Sequence, residues 1–462
     1  MQSLSLTTTI TGKKKLFVPL HDYTVLMYVC GITPYDFAHV GHGRCYTTFD
    51  LLYRLLRSLG YQVKYCRNFT DIDDKLLNRA QRELGDAQRY TEIAQKYIAA
   101  YHEDMQKLHC LPPTFEPLVT HNIPQIIAMI EALVANGYAY VVGGNVYYRV
   151  KKFADYGKLS HRKLDDLKVG ARVAISEEKE DPLDFALWKV EAENTFWQSP
   201  WGYGRPGWHI ECSALALAYL GKTIDIHGGG MDLIFPHHEN EIAQSEGMLG
   251  QEFARYWVHN AFVRIDKEKM SKSLGNFFTL RDVFAKFDPM VVRYYFLQHH
   301  YRSPLDFAWD DLEAAQKSYQ RLCKVFAGAA MGWKAEERAL QEKLLFTELV
   351  QTLTGQEQEL VQNMISFLCD DLNTPGMFGV IFENLHTIAA SNAFGQAVYQ
   401  LLRGVLGLSL EPLPEKQVEI TPEIQKLLDE RDAARKEKNW KRSDELRDQL
   451  KALGIDVQDR KL

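Results

Sequence analysis

Near the N-terminus, the apolar and polar positions follow patterns that predict a strand, a helix and a second strand. VLMYV (25–29) is a continuous apolar run, which is typical of a strand buried on both faces of a sheet. Apolar positions between 44 and 60 then share one helical stripe, and YQVKYCRNF (61–69) returns to a strand pattern. A unit of this length predicts a parallel sheet with a right-handed crossover. Ligands of such sheets bind beyond the carboxyl ends of the strands, where Cys30 and Thr70 lie.

A different pattern follows further along the chain. GYAYVVGGNVYYRV (137–150) carries Gly143 and Gly144 at its centre and therefore predicts a β-hairpin. We interpret this stretch as part of an insertion between two halves of one α/β domain. The sheet pattern is predicted to resume in GWHIECSALALAYLG (207–221) and in TIDIHGGG (223–230).

The C-terminal third is predicted to be helical. The helical spacing begins after about Asp310, and EPLPE (411–415) is a polar, proline-containing break that predicts a linker. Thr421 and Pro422 are a suitable N-cap and first residue for the first of two short amphipathic helices, and Gly454 would close the second.

The composition is that of an ordinary soluble protein. Of the 462 residues, 46% are hydrophobic and 25% are charged, enough for about three domains with buried cores. The net charge of −6 argues against indiscriminate binding of polyanions, although one domain can still carry a basic face. No apolar run approaches the ~18 residues of a membrane helix and no secretory signal is recognisable, so we expect a cytoplasmic protein without a membrane partner. The seven cysteines are scattered without a CxxC pair, as expected in a reducing compartment: Cys30, Cys45, Cys66, Cys110, Cys212, Cys323 and Cys369.

Two short motifs carry candidate phosphate chemistry. In HVGH, His39 and His42 share one face at the predicted start of a helix, where backbone N–H groups attract anions. Gly41 between them allows a ligand to approach the backbone. In KMSKS, Lys269 and Lys272 lie in a cationic loop that could fold over a polyphosphate. Taken separately, a capped helix with surface histidines and a solvated basic loop remain the simpler interpretations.

Together, the two motifs, in this order and on this fold, resemble the class I aminoacyl-tRNA synthetases. The resemblance implies that ATP adenylates the carboxylate of an amino acid, which then passes to the 3′-terminal ribose of a tRNA. It implies that His39 and His42 stabilise the α-phosphate during this reaction. Lys272 and Lys269 would hold the departing pyrophosphate, and Mg²⁺ would accompany ATP.

A further group of candidate ligands lies in HHENE. His237 and Glu241 stand at positions i and i+4 at the start of a predicted helix, a spacing suited to binding a metal. Cys30 and Cys212, at predicted strand ends of the same sheet, could complete a set of two thiols, one imidazole and one carboxylate. From spacing alone, a surface His/Glu pair and two buried core cysteines are the simpler interpretation.

The stretches YVCGITPYD, NFTDIDDK, GWHIECSA, HGGGMDLIFPHHENE and KMSKSLGN resemble the cysteinyl-tRNA synthetase family in order and spacing. The resemblance extends over essentially the whole chain, with the valine of HVGH where the family often has isoleucine. It implies the substrates L-cysteine, ATP and tRNA(Cys), and one Zn²⁺ with four protein ligands: Cys30, Cys212, His237 and Glu241. Zinc would select the substrate, since it binds a thiolate strongly whereas a serine hydroxyl is harder to deprotonate and a poorer ligand. No editing domain is then expected.

Other pocket residues take their roles from the same resemblance. Cys30, Thr70, Trp208 and His227 would surround the cysteine substrate, with Trp208 closing the small pocket; a core tryptophan is the alternative for that residue. Glycines would let the backbone approach the adenosine, and Asp232 would lie near the ribose. The expected ATP-binding residues are His39, Gly41, His42, Gly229, Gly230, Asp232 and Lys272.

The C-terminal tail resembles the small anticodon-binding module of the family. Between residues 431 and 462 it has ten Lys and Arg against seven Asp and Glu, so it is mildly basic. Trp440 could stack on a splayed base or, equally, pack between the two helices. RNA binding should weaken with salt, because phosphate contacts release counterions.

The expected architecture is an α/β protein with a Rossmann-like parallel-sheet catalytic domain, an inserted connective domain, an α-helical bundle and a small C-terminal anticodon-binding module. We expect it to act as a monomer. The predicted boundaries are 1–120 and 204–250 for the two halves of the catalytic domain, 121–203 for the inserted connective region, 251–310 for the KMSKS-containing stem-contact region, 311–410 for the tRNA-binding helical bundle, and 411–462 for the linker and C-terminal module.

Two alternatives share much of this pattern. A ligase that joins cysteine to an amino sugar in thiol biosynthesis would keep the metal set and both ATP motifs, but it should lack the anticodon-type tail. An RNA-binding paralogue without catalysis would be expected to lose HVGH, KMSKS or a metal ligand, and this chain retains all of them.

Overall fold

The structure is a computed structural model that describes residues 3–164, 179–265, 268–269, 277–327, 344–413 and 421–452. The chain forms two compact units, Met1–Glu411 and Pro412–Leu462. The strands within the described ranges are β1 (Ser5–Thr8), β2 (Lys13–Leu16), β3 (Thr24–Ile32), β4 (Gln62–Phe69), β5 (Ala139–Val142), β6 (Asn145–Tyr148), β7 (Phe185–Val190), β8 (Trp197–Ser199), β9 (Gly202–Pro206), β10 (Ile224–Gly230), β11 (Ala254–Asn260), β12 (Val263–Ile265), β13 (Glu268–Lys269) and β14 (Leu305–Asp306).

Helices cover much of the remaining chain. In the first unit they are α1 (Val40–Ser58), α2 (Asp74–Leu84), α3 (Tyr90–Lys107), α4 (Ile123–Ala135), α5 (Trp208–Leu220), α6 (Glu239–Leu249), α7 (Leu280–Phe284), α8 (Pro289–Leu297), α9 (Trp309–Phe326), α10 (Phe346–Gln351), α11 (Gly355–Cys369), α12 (Thr374–Glu383), α13 (Leu385–Ala390) and α14 (Asn392–Gln400). The second unit contains α15 (Pro422–Lys436) and α16 (Trp440–Ala452). Among the described residues, no helix is both long and apolar enough to cross a membrane.

A four-stranded parallel sheet forms the centre of the first unit. Its strand order is β11-β10-β3-β4, and α1 connects β3 to β4 as the predicted crossover. The apolar run at residues 25–29 is fully buried in β3, because both faces of the sheet are covered. The predicted α/β architecture with a parallel sheet is therefore confirmed, and the carboxyl ends of these strands share one edge.

The stretch at residues 208–220 corrects one prediction. It forms helix α5 and not a strand, so Cys212 lies on a helix and not at a strand end. The helix is buried on most of its surface, and its apolar residues therefore show no amphipathic period that would distinguish it from a buried strand. Its length of 13 residues and its alanines are the local signals that favour a helix.

The segment between α4 and α5 carries an antiparallel sheet of order β5-β6-β7-β9-β8. Strands β5 and β6 form the predicted hairpin, with Val142 opposite Asn145. The two turn residues, Gly143 and Gly144, have φ angles of 57° and 89°, which glycine adopts without the strain that a Cβ would cause. This hairpin is confirmed, while the wider insertion boundaries stay a prediction.

Helices dominate after β14, as predicted, and a small sheet of order β13-β12-β14 precedes them. In the second unit, the Thr421 side chain caps α15 by accepting from the Ile424 N–H, and Pro422 occupies the first helical turn. The predicted cap is thus confirmed. Gly454, predicted to close the second helix, lies outside the described residues.

Candidate active site and metal centre

A cavity of about 540 Å³ opens at the carboxyl ends of the parallel strands. One wall is the start of α1, and the other walls are the chain segments that follow β3, β10 and β11. Among the residues that line it are Cys30, His39, Gly41, His42, Trp208, Gly230, Asp232 and Asn260. The topology therefore brings the HVGH turn and one of the candidate metal ligands to the same cavity.

His39 and His42 form a reciprocal cap at the start of α1. The Nδ1 atom of His39 accepts from the backbone N–H of His42 at 3.1 Å, and Nδ1 of His42 accepts from the N–H of His39 at 3.3 Å. The two rings stack with their centroids 3.6 Å apart. Because both Nδ1 atoms accept hydrogen bonds, a neutral ring must carry its proton on Nε2, which makes Nε2–H a donor. A helix N-terminus with such donors is suited to an anion.

Four buried ligand-type side chains meet beside this cavity. The donor atoms of Cys30, Cys212, His237 and Glu241 all lie within 4.8 Å of one another. The two Sγ atoms are 3.6 Å apart, and a Glu241 oxygen is 3.3 Å from Cys30 Sγ and 3.2 Å from His237 Nε2. Tetrahedral bonds of about 2.0–2.3 Å to zinc would separate neighbouring donors by roughly 3.3–3.8 Å. The donor set therefore fits a zinc ion in both chemistry and spacing.

A second grouping in the described part of the chain shares two of these residues. Cys30 and Glu241 also lie within 4.8 Å of His227 and His238. His227 Nε2 is 2.8 Å from Glu241 Oε2, and His238 Nε2 is 3.3 Å from Cys30 Sγ. The centre thus offers two alternative sets of donor atoms. Both sets include the thiol of Cys30 and the carboxylate of Glu241.

Sequence reasoning missed three histidines that surround this centre: His209, His238 and His259. Nδ1 of His238 is 2.7 Å from Nε2 of His259, whose Nδ1 is in turn 2.6 Å from the hydroxyl of Thr9. His209 Nδ1 lies 3.0 Å from His237 Nδ1. A local signal existed for two of them, because His238 belongs to HHENE and His259 lies near the carboxyl end of β11.

Burial controls the charge of the centre. It raises the pKa of the Cys30 thiol well above its usual value, and it lowers the pKa of His237 and of His259 to about 3. Burial would also raise the pKa of Glu241, but His227 and His237 hold that pKa below the usual value. His237 and His259 are therefore neutral at neutral pH, as metal binding requires of a histidine ligand such as His237. A divalent cation would favour the thiolate of Cys30 that burial disfavours.

Comparison with known proteins identifies the family. The catalytic-domain model of class I (C) tRNA synthetases matches residues 16–317, and the cysteinyl-tRNA ligase anticodon binding domain matches residues 417–462. A cysteine–tRNA ligase of Aquifex aeolicus is 45% identical over 99% of this chain and 97% of its own length. A cysteine–tRNA ligase of Trichlorobacter lovleyi is 46% identical over 99% of this chain and 98% of its own length. The chain belongs to the cysteinyl-tRNA synthetase family.

Solved structures show the same fold at low sequence identity. A methionyl-tRNA synthetase of Mycobacterium tuberculosis bound by methionyl-adenylate superposes with a TM-score of 0.58 at 14% identity, covering 84% of this chain and 92% of that one. A leucyl-tRNA synthetase of Agrobacterium radiobacter in a ternary complex gives 0.57 at 11% identity, covering 87% and 88%. The chain thus shares its fold with these two class I synthetases.

The KMSKS motif lies between strand β12 and a segment that contacts the HVGH turn. Lys269 belongs to β13, where its backbone pairs with Arg264, and Lys272 lies outside the described residues. After the motif, the backbone N–H of Leu280 donates to Ala38 O at 2.8 Å, and Thr279 pairs with His39. The backbone that follows the motif therefore contacts the segment of the HVGH turn, while the neighbourhood of the two motifs stays a prediction.

The residues expected around the cysteine substrate occupy different positions relative to the cavity. Trp208 is 41% exposed, lines the cavity and stacks on His237 with centroids 4.3 Å apart, so it is not a core tryptophan. His227 is buried in β10 against Trp257, and its Nδ1 has no hydrogen-bond partner among the described residues. The Thr70 hydroxyl donates to Glu211 at 2.8 Å, and Thr70 is not among the residues that line the cavity.

The expected ATP-binding residues lie on two sides of the cavity. Gly41 lines it beside the histidines, and Gly230 and Asp232 line it after β10. Close packing by itself explains a glycine at position 229, since a Cβ there would come within 3.0 Å of the side chains of His238 and Leu233. A close approach of adenosine to Gly229 thus stays a prediction.

Proposed function

We propose that the protein is a cysteine–tRNA ligase that activates L-cysteine with ATP and transfers it to the 3′-terminal adenosine of tRNA(Cys). The observation that carries this proposal is the cavity at the sheet edge. On one side lies Cys30, a member of the buried two-thiol donor set, and on the other lie His39 and His42 at the start of α1. An amino acid held by its thiol near Cys30 would therefore direct its carboxylate into the space beside the helix N-terminus.

The donor set supports selection of a thiol. Cys30, Cys212, His237 and Glu241 would hold the zinc ion, and their spacing fits tetrahedral coordination. Zinc bound there would bind the thiolate of cysteine strongly and the hydroxyl of serine poorly. An apolar pocket alone would separate the two amino acids by only ~1–3 kcal/mol. Trp208, which stacks on His237 at the cavity, would cover the substrate side chain.

The start of α1 supports adenylation. The carboxylate of cysteine attacks the α-phosphate of ATP, the bond to the β-phosphate breaks, and pyrophosphate leaves with its Mg²⁺. Nε2–H of His39 and of His42 would donate to α-phosphate oxygens, whose charge grows in the transition state. The backbone N–H groups of the helix N-terminus add to this stabilisation. Lys272 and Lys269 would hold the pyrophosphate, and Gly230 and Asp232 would border the nucleoside.

The C-terminal unit supports tRNA as the acceptor. Residues 417–462 match the anticodon-binding domain of the family, and this feature distinguishes the chain from a ligase that joins cysteine to an amino sugar. The second step would transfer cysteine from the adenylate to a ribose hydroxyl of the tRNA and release AMP. Because the proposed ligands include free thiols, we place the activity in the reducing cytoplasm, with the protein acting as a monomer.

Exchange between ATP and labelled pyrophosphate tests the activation step. We expect exchange that depends on cysteine, with serine giving almost none, because the donor set would select the thiol. Equal rates with serine would overturn the role given to zinc. Charging of tRNA(Cys) with each of the twenty amino acids tests the whole reaction, and charging with an amino acid other than cysteine would overturn the substrate assignment.

A further inference from the structure

Arg44 lies two residues after His42 on α1, and its side chain is 1% exposed. Its guanidinium binds four backbone carbonyls far along the chain. Nη1 donates to Ala261 O and to Phe262 O, both at 3.1 Å. Nη2 donates to His300 O at 3.1 Å and to Ser303 O. A single side chain thus binds two separate segments of backbone to the helix that carries the HVGH turn.

Both segments directly precede strands of the small sheet β13-β12-β14. Ala261 and Phe262 connect β11 to β12 and line the cavity. Ser303 lies in the turn before β14, and β14 pairs with β12 through Val263 and Leu305. Strand β12 in turn pairs with β13, which contains Lys269. The hydrogen bonds of Arg44 therefore connect the histidines of α1 to the strand in which the KMSKS motif begins.

The environment of Arg44 is unusual for a buried cation. Among the described residues, no carboxylate lies within ion-pair distance, and Nε has no hydrogen-bond partner. Burial lowers the pKa of the guanidinium to about 10, so it remains charged at neutral pH. Burying a charge without a counter-ion is unfavourable. An apolar side chain could fill the space, but it could not bind four carbonyls.

We propose that Arg44 is a positioning residue for the activation step. Its hydrogen bonds fix the backbone at residues 261–262 and 300–303 against α1. They thereby set how far His39 and His42 lie from the strand that contains Lys269. This inference rests on the proposed function. The geometry explains why a planar group with several donors is needed, since a lysine ammonium could not reach both segments in the same directions. The carbonyls and the helix then form one rigid wall of the cavity.

The test compares Arg44→Lys with a matched control, Arg293→Lys. Arg293 is also completely buried and also binds backbone carbonyls, those of Leu406 and Leu108, and it forms an ion pair with Asp50 of α1. Unlike Ala261 and Phe262, Leu406 and Leu108 do not line the cavity. For the folded fraction of each variant, kcat and KM for ATP and cysteine are measured by pyrophosphate exchange, and zinc content is measured separately. We expect Arg44→Lys to lower kcat by about 10- to 100-fold, because small misplacements of reacting groups cost this much. KM for cysteine and zinc content should stay unchanged.

The control separates positioning from general stability. Arg293→Lys should lower the melting temperature in a similar way while leaving kcat per folded chain unchanged. Unchanged kcat in Arg44→Lys would overturn the inference, as would equal losses of kcat in both variants. Arg44→Gln, which removes the charge but keeps an amide donor, provides a second test with the same expected loss. Failure of both Arg44 variants to fold would also overturn it, because the role would then be structural. Absence of cysteine-dependent exchange in the unaltered chain would instead refute the proposed function.

Discussion

The two overlapping groupings at the metal centre make different predictions for single substitutions. Both use Cys30 and Glu241, but only one contains a second thiol, that of Cys212. Zinc accepts both thiolate and imidazole ligands, and thiolates are its softer donors, so we expect the two-thiol grouping to bind it. His238, a member of the other grouping, contacts His259 through Nδ1, which leaves its Nε2 as the nitrogen that faces Cys30. Cys212→Ala and His238→Asn therefore test which grouping binds the metal.

The expected magnitudes follow from these roles. Structural zinc sites bind with about 10–16 kcal/mol, so each of four ligands contributes on the order of 2.5–4 kcal/mol. Cys212→Ala should then weaken zinc binding by roughly 70- to 850-fold. Loss of a residue that only orients the ligands costs about 10- to 100-fold, which is the range expected for His238→Asn. The first substitution should also weaken cysteine binding far more than ATP binding.

The assay is competition for zinc with a chromophoric chelator, supported by elemental analysis of the purified variants. Cys66→Ala provides the matched control, because Cys66 is also a fully buried thiol in the same core but belongs to neither grouping. Its zinc affinity should equal that of the unaltered chain. A larger loss in His238→Asn than in Cys212→Ala would refute the assignment of the two-thiol set.

Two further predictions concern other parts of the chain. Asp50 is 3% exposed, and its carboxylate accepts hydrogen bonds from Arg54 and from Arg293. Asp50→Asn should therefore lower the free energy of unfolding, measured by urea titration, by about 3–5 kcal/mol. A loss below about 1 kcal/mol would contradict this expectation. Burial would raise the pKa of Asp50, but the two arginines hold it below the usual value. Its contribution to stability should therefore be complete above about pH 4 and be lost as the pH falls further, which unfolding curves of the unaltered chain and the variant would reveal. A chain that ends at Glu411, where the first compact unit ends, should retain pyrophosphate exchange but charge tRNA(Cys) poorly, and normal charging would refute the anticodon-binding role of the second unit.

Local sequence patterns were sufficient for elements that depend on neighbouring residues. The apolar run of β3, the stripe of α1 and the glycine turn between β5 and β6 each produce a signal within a few residues. The same holds for the cap of α15 at Thr421. Helix α5 was predicted as part of the sheet because burial on most sides removes the period on which such predictions depend.

The sequence by itself determined which chemical groups this protein has: the motifs, the candidate ligands and the βαβ unit that places Cys30 at the carboxyl end of a strand in a parallel sheet. Only the tertiary structure decided which of those groups meet. Cys30 on β3, Cys212 on α5 and Glu241 on α6 come together through the packing of α5 and α6 beside the sheet, and so do three histidines that spacing did not indicate. Arg44 likewise meets carbonyls more than 200 residues away. The physical reason is that periodicity and caps report contacts within one or two turns of chain, whereas strand order and core packing determine contacts between distant segments.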